Sequence, residues 1–214
     1  MTELQAGKVS LRGLYAITDP HLMNDHLLSM AEQAIKGGIK ILQYRNKHAP
    51  LSQQQAEAQQ LAGLCHQHGV IFLVNDNIEL AMKSHADGVH LGQQDTDIKT
   101  ARAKLGDSKI IGITCHDSIE KALAAQNDGA DYVAFGRFFA SSTKPEAPAA
   151  DSNLISKAKK QLTIPMVAIG GINAQNAAGL LAQGADMLAV IHGIFGQPDI
   201  YQATKNLHNL FSHT

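Results

Sequence analysis

Asp76 and Asp95 stand where two carboxylates could share one cation. Each follows a short apolar run, Val70–Val74 and Gly88–Leu91, rich in the branched and bulky residues of buried strands. The residues between, Asn77–His85, suffice for two helical turns. That makes a βαβ unit with an acid at the C-terminal mouth of each strand. Neighbouring strand ends lie about 5 Å apart, so both carboxylates can reach the same ion. Two carboxylates completed by water and phosphate oxygens form the shell that Mg²⁺ prefers, because it takes oxygen ligands and dehydrates reluctantly. Helix capping is the other reading of both acids, since Asp is a favoured N-cap.

Other strand ends carry complementary groups. Gln43, Arg45 and Lys47 alternate along an extended segment and so point to one side. Arg with its planar fork and Lys as a point charge can bracket an anion, and a solvated loop is the plain alternative. Thr114, Cys115 and His116 end a fifth strand. The segment Ser141-Ser142-Thr143-Lys144 offers hydroxyls and an ammonium to phosphate oxygens, or is a surface loop. Gly170-Gly171 and His192-Gly193 follow two more strands, where glycine both permits tight turns and bares peptide N–H groups. One basic cluster with a cation and one neutral phosphate cradle imply two phosphorylated groups.

These positions need a scaffold of alternating elements. Strands are expected at Leu14–Thr18, Lys40–Tyr44, Val70–Val74, Gly88–Leu91, Lys109–Thr114, Tyr132–Phe135, Met166–Ile169 and Met187–Ile191. Asp19-Pro20 reads as a cap followed by a helical first turn. Helices are expected at Leu27–Ile35, Ser52–His68, Asn77–His85, Asp97–Leu105, Ser118–Asn127, around Asn153–Gln161, at Asn173–Ala182 and at Ile200–Phe211. Eight such units in 214 residues predict a single-domain (β/α)₈ TIM barrel spanning residues 1–214. An open doubly wound sheet would show a GxGxxG turn near its first strand, and none is present. His85-Ala86-Asp87, Gly129-Ala130-Asp131 and Gly184-Ala185-Asp186 form a weak internal repeat, each preceding a short apolar strand as a helix exit with a turn.

Composition excludes several function classes. A formal net charge of −1 gives no general attraction to nucleic acid or an anionic membrane. The absence of Trp and the scarcity of aromatics argue against a stacking surface for single strands. The N-terminal residues lack a signal-peptide apolar core, and no run approaches a membrane span. Cys65 and Cys115 lack any metal or redox spacing and read as reduced, buried thiols in a cytoplasmic protein. His90 and His116 read as packing or hydrogen-bonding groups rather than catalysts.

The blocks LYAITD, QYRNK, VNDN, GVHLGQQD, GITCH, YVAFGRFF with SSTKPEAP, and VAIGGI occur in this order from Leu14 onward. Together they resemble the thiamine-phosphate synthase family, over nearly the whole chain to Phe195. The resemblance implies condensation of hydroxymethylpyrimidine diphosphate with hydroxyethylthiazole phosphate, or its carboxylated form, with loss of pyrophosphate. It implies pyrimidine-diphosphate contacts from Gln43, Tyr44, Arg45, Asn46, Lys47 and Asn75. It further implies Mg²⁺ ligands at Asp76 and Asp95, and pyrophosphate contacts at Thr114 and Lys144. Thiazole-phosphate contacts are implied at Ser141, Ser142, Thr143, Gly171, Ile191 and His192. Arg45, Lys47 and Lys144 would then act on the leaving group. The partners expected are small phosphorylated substrates, with no nucleic acid or membrane, and self-association into a homo-oligomer stays open.

Three positions depart from the family pattern. Ala140 and Ser141 stand where Pro-Thr is usual, which keeps the hydroxyl but removes a fixed φ. Thr114 stands where Ser is common, and His192 replaces a frequent Ser. A contact through the backbone N–H tolerates the last change; a required hydroxyl does not. Two alternatives remain at this stage: a thiazole tautomerase of the same superfamily, and a non-catalytic regulatory barrel.

Overall fold

The computed structural model describes residues 10–140 and 149–213. Eight strands form one closed parallel barrel in sequence order: β1 (Gly13–Ile17), β2 (Ile41–Tyr44), β3 (Ile71–Asn75), β4 (Gly88–Leu91), β5 (Ile110–His116), β6 (Tyr132–Phe135), β7 (Met166–Ile169) and β8 (Met187–Val190). Closure is the β1–β8 pairing, with Gly13 opposite Met187 and Tyr15 opposite Ala189. Ten α-helices are described: α1 (Pro20–Met23), α2 (Leu27–Gly37), α3 (Leu51–Gln67), α4 (Ile78–Lys83), α5 (Ile98–Leu105), α6 (Ile119–Asn127), α7 (Leu154–Ala158), α8 (Ala178–Ala182), α9 (His192–Phe195) and α10 (Ile200–Asn209). The expected (β/α)₈ architecture is the one found. Among the described residues, no helix is long and apolar enough to cross a membrane.

Side-chain alternation divides most of the strands between two cores. Tyr15, Ile41, Leu73, Tyr132, Val167 and Met187 meet inside the barrel. Their neighbours Leu14, Leu42, Phe72, Val89, Ile111, Val133, Ala168 and Leu188 face the helices in a larger cluster. Gly112 makes the interior layer possible, because a Cβ there would lie 1.9 Å from the Tyr132 ring.

The internal repeat proves to be one corner built five times. Gly38, Gly69, His85, Gly129 and Gly184 each take positive φ, at 106°, 65°, 59°, 96° and 100°. The next amide returns to the preceding helix each time: Ile39 to Ala34, Val70 to Cys65, Ala86 to Ala81, Ala130 to Ala125, and Ala185 to Leu180. This is the left-handed helix exit that glycine makes cheaply. Three corners then present Asp. Asp87 accepts the Phe72 N–H at 2.8 Å, Asp131 the Ile111 N–H at 2.9 Å and Asp186 the Met166 N–H at 2.9 Å. A nitrogen-bearing side chain from the helix layer joins each, respectively His66 at 3.2 Å, Arg102 at 2.6 Å and Lys159 at 3.1 Å. The corner at Gly69 is followed by Ile71, and the one at Gly38 by Lys40, whose stem lies so close to Gly13 that a Cβ there would meet it at 2.7 Å.

Two helices end up shorter than expected. Around Asn173 the chain makes side-chain turns instead of helix: Asn173 Oδ1 accepts from the Gln175 and Asn176 amides at 3.0 and 3.2 Å. Helix α8 therefore begins only at Ala178. Local side-chain acceptors compete with helical bonds in this way. Helix α7 likewise covers Leu154–Ala158 rather than the longer span expected. Conversely, β5 runs past Thr114 to His116 through a register shift against β6.

Candidate active site

A cavity of about 570 Å³ opens at the C-terminal mouth of the barrel. That volume suits a small-molecule site. Strands β2 to β5 contribute Gln43, Arg45, Lys47, Asn75, Asp76, Asp95 and Thr114 to its wall. The opposite wall carries Gly170, Gly171, Ile191, His192 and Gly193. Groups from distant parts of the sequence thus face one space, as the closed sheet requires.

Neither acid caps a helix. Asn77 caps α4, accepting from Leu80 N at 2.9 Å, and Asp97 caps α5, accepting from Thr100 N at 2.9 Å. Asp76 instead sits at φ 62°, a left-handed conformation seldom taken by non-glycine residues. Its own amide donates to His90 O at 2.9 Å, which fixes it at the end of β4. Its carboxylate pairs with Lys47 Nζ at 2.6 Å. Asp95 Oδ2 accepts the Gly92 N–H at 2.7 Å. Desolvation within this turn, and then the Asp76 carboxyl in hydrogen-bonding reach, push the Asp95 carboxyl up; Gly92 and Lys47 pull it back. Two like charges held together gain from a cation between them. Among the described residues, no group of three or more His, Cys, Asp or Glu side chains could hold a metal alone. The pair therefore fits a hard cation whose remaining ligands are water and substrate oxygens.

The floor of the cavity is a hydrogen-bonded chain across the barrel. Gln43 Nε2 donates to Tyr15 Oη at 2.7 Å, and the Tyr15 and Tyr132 hydroxyls share a bond of 2.9 Å. His90 continues the chain, with Nδ1 2.9 Å from Tyr132 Oη and Nε2 2.8 Å from Thr114 Oγ1. Burial pushes both tyrosine hydroxyls well up, so they stay protonated. His90 stacks on Tyr132 with centroids 5.6 Å apart, in keeping with the packing and hydrogen-bonding role expected for it.

On the opposite wall, glycines permit close backbone approach. A Cβ at Gly170 would lie 2.3 Å from Arg137 Cβ, and one at Gly171 would lie 2.2 Å from Ala140 O. Their φ values of 106° and 62° favour glycine independently. Among the described residues, the amide N–H groups of Gly171, His192 and Gly193 have no protein partner. His192 is exposed and opens α9, a four-residue turn that the sequence did not announce.

Two expected contacts point elsewhere. Tyr44 and Asn46 are the outward members of the alternating segment, and both side chains bond Glu57 on α3. Ser141, Ser142, Thr143 and Lys144 lie outside the described residues. The sequence reading also overlooked cavity-lining Tyr15, Ile17, Arg137 and Asn173. Strand alternation could have flagged Tyr15 and Ile17, which share the inward parity of β1.

The thiamine monophosphate synthase family model matches residues 14–194. The chain belongs to this family. A thiamine-phosphate synthase of Alcanivorax borkumensis is 54% identical over 190 residues, covering 88% of each chain. One from Thioalkalivibrio sulfidiphilus is 49% identical over 203 residues, covering 94% of this chain and 96% of its own. Among solved structures, the thiamine phosphate pyrophosphorylase of Pyrococcus furiosus superposes with a TM-score of 0.87 at 33% identity. That match covers 94% of this chain and 96% of the other. The family's motifs in this sequence thus sit on the fold that its members share.

Proposed function

We propose that this protein is a Mg²⁺-assisted thiamine-phosphate synthase, a transferase of thiamine biosynthesis. It joins hydroxymethylpyrimidine diphosphate to hydroxyethylthiazole phosphate, or its carboxylated form, and releases pyrophosphate. One observation supports this most: a basic–acidic wall formed by Arg45, Lys47, Asp76 and Asp95 faces a wall of unpaired amides at Gly171 and His192-Gly193. The first suits a diphosphate and the second a phosphate monoester.

In the reaction, the bond between the pyrimidine methylene and the diphosphate oxygen breaks, and its electron pair leaves with pyrophosphate. The aminopyrimidine ring spreads the positive charge left behind. The thiazole nitrogen then supplies the pair for the new carbon–nitrogen bond, so no general base is needed. Mg²⁺ held by Asp76 and Asp95 would neutralise charge on the leaving oxygens. Arg45 and Lys47 stabilise the same charge from the β2 side, where it develops. Thr114 and Lys144 complete the diphosphate side in this reading, and Ser141, Ser142 and Thr143 the monoester side. The test mixes both substrates with Mg²⁺ and follows pyrophosphate. Release only with all three components is expected; isomerisation of the thiazole partner alone, or no reaction, overturns the proposal.

A further inference from the structure

The segment that carries Arg45 and Lys47 lies beyond the ladder. Tyr44 opposite Val74 is the last β2–β3 pair, and Gln43 is the last partner of β1. Among the described residues, peptide groups 45–49 form no backbone-to-backbone hydrogen bond. Side chains hold them instead. Arg45 N donates to Thr18 Oγ1 at 2.8 Å, Ala49 N to Asn46 Oδ1 at 3.3 Å, and Gln54 Nε2 to Ala49 O at 2.8 Å.

Glu57 is the centre of this support. Its Oε2 accepts from both Tyr44 Oη, at 2.5 Å, and Asn46 Nδ2, at 3.1 Å. Its Oε1 accepts from Gln53 Nε2 at 2.7 Å. One carboxylate oxygen on α3 therefore binds Tyr44 and Asn46 on the outer side of the segment 44–47. The residues between and after them, Arg45 and Lys47, line the cavity. Charge-assisted acceptors of this kind are the stronger hydrogen bonds.

We propose that Glu57 is a positioning residue for diphosphate capture: it acts through Tyr44 and Asn46 to aim Arg45 and Lys47 into the cavity. The inference rests on the functional reading above. It assigns Tyr44 and Asn46 work on the far side of the loop from the substrate.

The test compares wild type, Glu57→Ala and Glu57→Gln by calorimetric titration with Mg²⁺-pyrophosphate and, separately, with thiazole phosphate. Glu57→Ala should weaken pyrophosphate binding by about tenfold, the scale of a small misplacement of binding groups. Thiazole-phosphate affinity should be unchanged. Glu57→Gln keeps one acceptor oxygen for both donors and should recover most of the loss. In a Lys47→Ala background the Glu57→Ala effect should shrink, since residues acting as a unit are not additive. Equal weakening of both ligands, or no weakening of pyrophosphate binding, makes Glu57 merely structural and overturns the proposal. Failure of the functional reading shows separately, as absence of pyrophosphate release by the wild type.

Discussion

The two mouths of the barrel use the same residue for opposite ends. At the N-terminal mouth, Asp87, Asp131 and Asp186 each accept a strand amide and bind a side chain of the helix layer: His66, Arg102 and Lys159. At the C-terminal mouth, Asp76 and Asp95 cap no helix, lie against each other, and share the positive charge of Lys47. Carboxylates whose bonds are satisfied inside the protein stabilise it. Carboxylates crowded together keep their affinity for something brought from outside. Position relative to strand direction, rather than residue type, separates framework from site.

Mutation should split the two mouths cleanly. Asp76→Ala should lower kcat by roughly a hundredfold or more, the scale of losing a main electrostatic contact to the transition state. Its Tm should stay near wild type, and a folded variant with normal turnover would remove Asp76 from the site. A chelator should reproduce the pattern, abolishing turnover without moving Tm; a large loss of Tm would make the metal structural.

Asp131→Ala should do the reverse. It strands the Ile111 amide and Arg102, which also donates to the carbonyls of Gly106, Lys109 and Gly129. The expected loss is about 1.5–3 kcal/mol by denaturant titration, with kcat intact. Asp87→Asn should cost less, about 1 kcal/mol, because its His66 partner is 43% exposed and such pairs contribute little. Equal losses at the two corners would mean that the exposure of the paired side chain does not set what each aspartate contributes. At the smallest end, His192→Ser should leave activity across pH 5.5–8 unchanged within about twofold, since an N–H contact survives the substitution. A wild-type advantage confined to low pH would show the imidazolium binding phosphate instead.

Much of this was legible in the sequence. Alternating apolar runs announced all eight strands, and the residues after them announced the cavity walls. Three of the five repeated corners are visible as x-Ala-Asp. The other two, Gly38-Ile39-Lys40 and Gly69-Val70-Ile71, share the backbone but not the side chains, so no sequence pattern marks them. Tyr44 and Asn46 were read as contacts because the motif is contiguous, whereas a strand sends neighbours to opposite faces. The chain of hydroxyls through Tyr15 and Tyr132 joins residues 117 apart in sequence. Only barrel closure brings them together, and no local signal carries that.

One corner without an acid has a consequence for how the protein is made. Where the β3–β4, β5–β6 and β7–β8 pairs carry an Asp clasp, the β1–β2 unit is covered by α10. Thr204 lies against Gly37, and His208 lies so close to Gly38 that a Cβ there would meet its ring at 2.8 Å. The fastener of the first unit therefore comes only after β8 in the chain. On the ribosome, the β3–β4, β5–β6 and β7–β8 units can each be clasped as they emerge. The first must wait, half-covered, until the segment after β8 has been translated.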